Sequence, residues 1–209
     1  MYQNDAQKCL TGEVRLSYAH LYTPRQPRDA RGNPSGEAKY TVTLLIPKTD
    51  TATKADLDAA FNAAATAAVS TKWGGVRPPQ LDALIHDGDG VRQDGTPYGP
   101  ECKGHWVLTA SGKNKPQCVG IDNISCELDP RDVYSGMYAR VTVRFYGYNT
   151  GSKKGVGCGL GNVLKIRDGE PLSGGANASS DFAGIGNTGG MATPNAGVRY
   201  DPITGQPLA

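Results

Sequence analysis

No apolar run among the 209 residues approaches the length of a membrane span, and the N-terminal MYQNDAQKCL lacks the basic start and apolar stretch of a secretory leader. Both absences point to a cytosolic protein. Histidine is scarce at three residues, and no catalytic triad is visible around His20, His86 or His105. Paired cysteine spacing is missing as well. Cys9, Cys102, Cys118, Cys126 and Cys158 make an odd count, so reduced thiols are expected. A zinc set could be drawn from Cys102, His105, Cys118 and Cys126, but zinc sites usually show two close ligand pairs, and these separations do not. Charge of one sign is slight too: the net charge of +2 means that any positive field must come from placement rather than from the sum.

Glycine and proline, by contrast, are plentiful at 28 and 14 residues, which favours a loop-rich β protein with irregular segments. The length suits one domain with attachments. The most informative stretch is Met137–Tyr148, MYARVTVRFYGY. A strand sends successive side chains to opposite faces. One set is Met137, Ala139, Val141, Val143 and Phe145, suited to a barrel core. The other is Tyr138, Arg140, Thr142, Arg144, Tyr146 and Tyr148. Alternating tyrosine and arginine suits a flexible polyanion with flat bases, since arginine neutralises phosphate and each ring offers a stacking surface. The same face would also serve as the solvated side of an ordinary antiparallel sheet.

Along the chain, Glu13–Tyr22 reads as a strand with Val14, Leu16, Tyr18, His20 and Tyr22 on one face. Thr23–Ala38 is a long hairpin-like loop carrying Arg25, Arg28 and Arg31, either solvated or a mobile basic arm. Lys39–Pro47 is a second strand with Tyr40, Val42, Leu44 and Ile46 inward. The period then changes. Asp50 to Lys72 is an alanine-rich helix whose stripe of Leu57, Phe61, Ala64, Ala65 and Ala68 implies close packing. Trp73 after it is either a core plug or an exposed stacking ring. From Pro78 to Gly104 the chain reads as mostly irregular. Asp87, Asp89 and Asp94 lie there among glycines, but without the spacing or closing glutamate of a calcium loop. His105–Ser111, Cys118–Ile124 and Val156–Ile166 complete the strands. Gly157, Gly159 and Gly161 in the last signal bulges, bends or the close approach of another backbone. They open no helix, so a dinucleotide site is not expected. After Leu172 small and polar residues dominate, and a disordered tail is expected.

Taken together, YAHLYTPR, KYTVTLLIPK, KWGG, HDGDG, HWVLTASGKNKP and VYSGMYARVTVRFYGYNTGSKKGVGCGLGNVLKIRDGEPL resemble a family of phage-encoded single-stranded DNA-binding proteins built on an OB-fold. The resemblance covers about Val14 to Leu172 and is most specific over Tyr134–Leu172. It implies a mainly β protein: an elaborated OB-fold antiparallel barrel with one alanine-rich helix and a disordered C-terminal tail. The implied division is a flexible N-terminus (1–12), a DNA-binding domain (13–172) and a Gly/Asn/Ser-rich tail (173–209). The implied role is coating single-stranded DNA during phage replication or recombination in the host cytoplasm, with little sequence preference, no catalysis and no cofactor. Two features depart from the pattern. The tail carries only Asp181 and Asp201 against Arg199, so charge-based recruitment of phage replication or recombination proteins is in doubt. The helix follows the second strand, whereas a simple OB barrel usually places it between strands three and four.

On this reading bases stack on some of Tyr18, Tyr22, Tyr40, Trp106, Tyr138, Tyr146 and Tyr148. Phosphates meet Arg15, Arg25, Arg28, Lys39, Lys113, Lys115, Arg140, Arg144, Lys153 and Lys154. Several of the tyrosines must be core, and Tyr40 and Trp106 share faces with apolar residues. Self-association along DNA would fit the same role. The competing readings are a metal-dependent phage nuclease or resolvase using Asp87 and Asp89, and a virion structural protein.

Overall fold

The computed structural model describes residues 2–27, 32–92, 94–151 and 153–172, together with the backbone of 199–200 and 207–208. Its strands are β1 (Lys8–Leu10), β2 (Val14–Arg25), β3 (Lys39–Pro47), β4 (Ile85–Asp87), β5 (His105–Gly112), β6 (Cys118–Gly120), β7 (Asn123–Glu127), β8 (Tyr138–Asn149) and β9 (Lys154–Arg167), with one helix, α1 (Thr51–Thr71), between β3 and β4. Hydrogen bonding runs β8–β2–β3–β5–β9 and returns from β9 to β8, the five-stranded ring of an OB barrel. The ring is not antiparallel throughout. Its β5–β9 seam is parallel and rests on one pair, Ser111 with Gly159. β1 extends the sheet beyond β8, and β6 and β7 extend it beyond β9.

The core follows from alternation. Met137, Ala139, Val141, Val143 and Phe145 of the β8 stretch are all at most 1% exposed, as are Val42, Leu44 and Ile46 of β3. Burying each large apolar side chain contributes roughly 1.5–3 kcal/mol. β3 is buried on both faces at Leu45, which packs outward on Cys102, Val107, Tyr98 and Leu172. Helix α1 begins at Asp50, whose carboxylate accepts the Thr53 amide at 3.0 Å. Its small-residue stripe lets it approach the barrel closely: a side chain at Gly147 of β8 would collide with Ala68. Phe61 meets Phe145 edge to face with centroids 6.1 Å apart. Past the helix, Trp73 is 2% exposed and donates its indole N–H to the Tyr148 carbonyl at 3.0 Å, so it plugs the core.

The structure corrects three expectations. The N-terminal segment is not flexible up to residue 12. β1 pairs with β8, Cys9 is buried, and the Thr11 hydroxyl accepts the Val141 amide. Three residues are too few to show periodicity. In β2 the alternation breaks at Tyr18, which adopts φ 47° in a bulge. Tyr18 is thereby turned outward and Leu21 takes the inward place. The stretch from Pro78 to Gly104 is mostly irregular, as expected, with the three-residue β4 paired to β5 within it. Finally, Cys118–Ile124 is not one strand but part of the β6–β7 hairpin. Cys9, Cys102, Cys118 and Cys158 are buried free thiols, while Cys126 is exposed. Burial pushes Cys118 and Cys158 up to about 12.

The expected disordered tail lies outside the described residues, apart from an antiparallel pairing of Arg199–Tyr200 with Pro207–Leu208. By internal contact the chain divides into residues 1–173 and 174–209. Among the described residues no helix is long and apolar enough to cross a membrane.

Candidate nucleic-acid interface

Strand register assembles a continuous row across the outside of the barrel. Lys8 of β1 partners Arg144 of β8, Arg144 partners Gly159 of β9, Gly159 partners Ser111 of β5, and Ser111 partners Thr41 of β3. Each lies beside a buried neighbour of opposite facing (Cys9, Val143, Cys158, Ala110 and Val42), so alternation turns the row outward. At its centre is a groove of about 390 Å³ lined by Lys8, Thr142, Arg144, Tyr146, Gly159 and Gly161, among others. Glycine on the floor lets a ligand come down to the backbone.

The glycines of β9 also set the tyrosines. A Cβ on Gly157 would lie 2.7 Å from Cζ of Tyr146, and one on Gly155 would lie 2.7 Å from Cζ of Tyr148. Both rings therefore lie across the β9 backbone where side chains are missing. Tyr146 remains 44% exposed. Arg144 holds Asp5 at 3.0 Å, and Lys8 donates to Gln3 Oε1 at 2.6 Å. Surface pairs of this kind are worth at most about 1 kcal/mol, so a phosphate could replace Asp5 at little cost.

The other end of the same stripe differs. The Tyr138 ring is covered by Arg167, 3.5 Å from its centroid, and flanked by Arg15 at 5.9 Å. Arg167 is in turn tied to Glu13 at 2.7 Å. Arg140 donates from Nε to the Thr11 carbonyl at 2.9 Å. Arg15 donates to the carbonyls of Gly136 and Glu170, pinning the segment that leaves β9.

The remaining sequence candidates scatter. Tyr18 is 57% exposed on its bulge. Tyr22 donates its hydroxyl to the Leu128 carbonyl, and burial, with Cys118 and Glu127 adding to it, pushes it up to about 12. Lys115 sits 4.4 Å from the Tyr22 ring centroid and pairs with Glu127 at 2.7 Å. Lys113 pairs with Glu37. The turn bearing both lysines runs alongside β9, where the Gln117 amide meets Asn162 Oδ1 at 3.2 Å. Arg25 and Lys39 partner each other at one end of the β2–β3 ribbon. Arg28 lies outside the described residues. Lys153 pairs with Asp82 at 2.7 Å, and Lys154 donates to the Trp73 carbonyl at 3.0 Å. Half-buried Tyr40 partners Gly112 across β3–β5. Trp106 packs on the core with Lys48 and Lys54 about 5 Å from its ring centroid.

Of the sequence candidates, the groove brings together Arg144 and Tyr146, with Tyr148 beside them. Sequence reasoning missed Lys8, which joins the site only because β1 pairs with β8. Asp87 and Asp89, the carriers of the nuclease reading, both lie 2.6 Å from Lys48 Nζ. The lysine holds both carboxyls below the usual range, and Asp89 also accepts the Gly104 amide at 2.9 Å. These carboxylates are engaged in joining β4 and its following turn to β3.

Fold and groove define an OB-type barrel with an open aromatic and cationic outer face. Residues 7–192 match the family described as Enterobacter phage Enc34, ssDNA-binding protein, and the chain belongs to that family. It is 33% identical over 183 residues to protein p50 of Acyrthosiphon pisum secondary endosymbiont phage 1, covering 82% of this chain and 90% of p50. Among solved structures it resembles the single-stranded DNA-binding protein from bacteriophage Enc34 in complex with ssDNA, with TM-score 0.63, 30% identity and coverage of 79% of this chain and 89% of that one. Bacteriophage T7 gp2.5, a single-stranded DNA-binding protein, shares the fold at TM-score 0.51 and 12% identity, over 82% of this chain and 97% of that one.

Proposed function

We propose that this chain is a phage single-stranded DNA-binding protein that coats DNA exposed during replication or recombination in the infected cell's cytoplasm, by binding without catalysis. The observation that carries the reading is the open groove on β8–β9. A base stacks on Tyr146 while the sugar–phosphate backbone crosses the glycine floor and its phosphates meet Arg144 and Lys8. Base–aromatic stacking is worth about 1–3 kcal/mol per base and tolerates any sequence. Binding resides in residues 13–172 extended back to β1. Recruitment of phage replication or recombination proteins falls to residues 173–209.

The test is a titration of the purified chain with a labelled oligothymidylate of about 30 nucleotides and the matching duplex, across a salt series with EDTA present. Single-strand binding that falls along a log–log salt line, with a slope of about −0.7 per phosphate contacted, supports the reading. Absence of binding at low salt removes it.

A further inference from the structure

The β8–β9 groove has a continuation at β1. Lys8 lines that groove and also lines a second one, of about 290 Å³, between β1 and α1. The helix wall of the second groove is Asp56, Ala59, Ala60 and Ala63, spaced i, i+3, i+4 and i+7 and therefore one face of α1. Three methyl groups in a row leave room for a flat ring. Tyr2 lines the same groove, held there by the N-terminal turn, in which the Asp5 amide donates to the Tyr2 carbonyl at 3.1 Å. Its ring centroid lies 5.2 Å from Lys8 Nζ. Arg140 is a lining residue too, but its guanidinium is held by the Thr11 carbonyl, so Lys8 is the cation left for a phosphate.

The strand wall is backbone. The Gln7 carbonyl accepts the Phe145 amide and the Thr11 amide donates to the Val141 carbonyl, so alternate residues turn their peptide groups toward β8. Lys8 and Leu10 turn theirs the other way. The Lys8 amide is taken by the Asp5 carbonyl at 3.1 Å, which leaves Leu10 to present its N–H to the groove. On the helix side the Asp56 carboxylate is exposed and, among the described residues, engaged in no ion pair or hydrogen bond. It lies near enough to β1 to add to burial in raising the Cys9 thiol to about 11. An apolar face and a ring suit the flat sides of a nucleobase; a backbone donor and a carboxylate acceptor suit its edge.

We propose that this second groove is a base subsite on the path of the same single strand, and that it selects a base with a ring-nitrogen acceptor beside an exocyclic amino group, cytosine or adenine. The strand crosses Lys8, which meets a phosphate between the two grooves. The Leu10 N–H donates to the ring nitrogen, and Asp56 accepts from the amino group. Thymine fits badly, because it sets its own N–H against the Leu10 N–H and a carbonyl against the carboxylate. The inference rests on the proposed single-strand binding and adds one base preference to a path that otherwise tolerates any sequence.

The test uses the full chain with an oligodeoxycytidylate and an oligothymidylate of equal length, at mildly alkaline pH so that cytosine stays unprotonated. Asp56→Asn and Ala59→Leu change exposed helix positions and should leave the melting temperature unaltered. The ratio of cytidylate to thymidylate affinity should fall about fivefold or more in Asp56→Asn, because the amide no longer acts only as an acceptor. Ala59→Leu fills the groove and should lower cytidylate affinity about fivefold or more. An unchanged ratio in Asp56→Asn overturns the proposed selection, and parental cytidylate affinity in Ala59→Leu overturns the subsite, while in both cases the parent's binding leaves the single-strand reading standing. Failure of the parent to bind either oligonucleotide overturns both this inference and the binding reading.

Discussion

The two ends of β8 carry the same alternation of tyrosine and arginine and yet do different work. At one end Tyr138 partners Arg167 across β9, and that guanidinium covers its ring. At the other Tyr146 partners Gly157, and the missing side chain leaves the ring flat and open. The arginines part in the same way. Arg140 reaches a backbone carbonyl, while Arg144 reaches a surface carboxylate that a phosphate can replace. The residue type states what a position could do; the cross-strand partner decides whether it is free to do it.

The comparison breaks most decisively at the open ring. Tyr146→Ala should weaken oligothymidylate binding by about 1–3 kcal/mol with little change in melting temperature. Tyr138→Ala should do the reverse, because its ring serves the Arg15 and Arg167 contacts; equal losses of affinity would erase the distinction. Next comes Gly157→Ala, whose new Cβ must push the Tyr146 ring off β9. Combining it with Tyr146→Ala should cost no more affinity than Tyr146→Ala alone, a non-additivity that equilibrium titration reads directly. Arg144→Ala and Lys8→Ala should each shorten the salt slope by about 0.7, whereas Arg140→Ala should leave the slope unchanged and lower thermal stability. The smallest effect is in acid. Lys165, with the Tyr134 hydroxyl, holds Asp168 at the covered end below its ordinary value of 3.8. That contribution is fully present above about pH 3.8 and is lost as pH falls through the lowered native value. Asp168→Asn should flatten acid unfolding there slightly, measured by circular dichroism.

Much of this architecture was legible in the residues. The core face of β8, the bounds of β3 and the alanine stripe of α1 follow from periods of 2 and 3.6 that hold over long runs. Where the run is short or broken, the pattern says nothing. β1 spans three residues, and Lys8 enters the groove only through its register with Arg144. The bulge at Tyr18 needs a positive φ in a bulky residue, worth about 1–3 kcal/mol of strain, which no local preference announces. The candidate cations were named from type alone, and Lys153, Lys154 and Arg15 turn out to hold the fold's own carboxylates and carbonyls. Gly157, Gly159 and Gly161 were legible as a close approach, but their pairing with Tyr146 and Arg144 depends on strand register.

The most direct test of the open groove is photo-cross-linking of the full chain to an oligothymidylate carrying 5-iodouracil, with the attachment point mapped by mass spectrometry. The account predicts attachment at Tyr146. Attachment at Tyr138, or on the β2–β3 ribbon at Tyr18 or Tyr22, with Tyr146 unmodified, would contradict it.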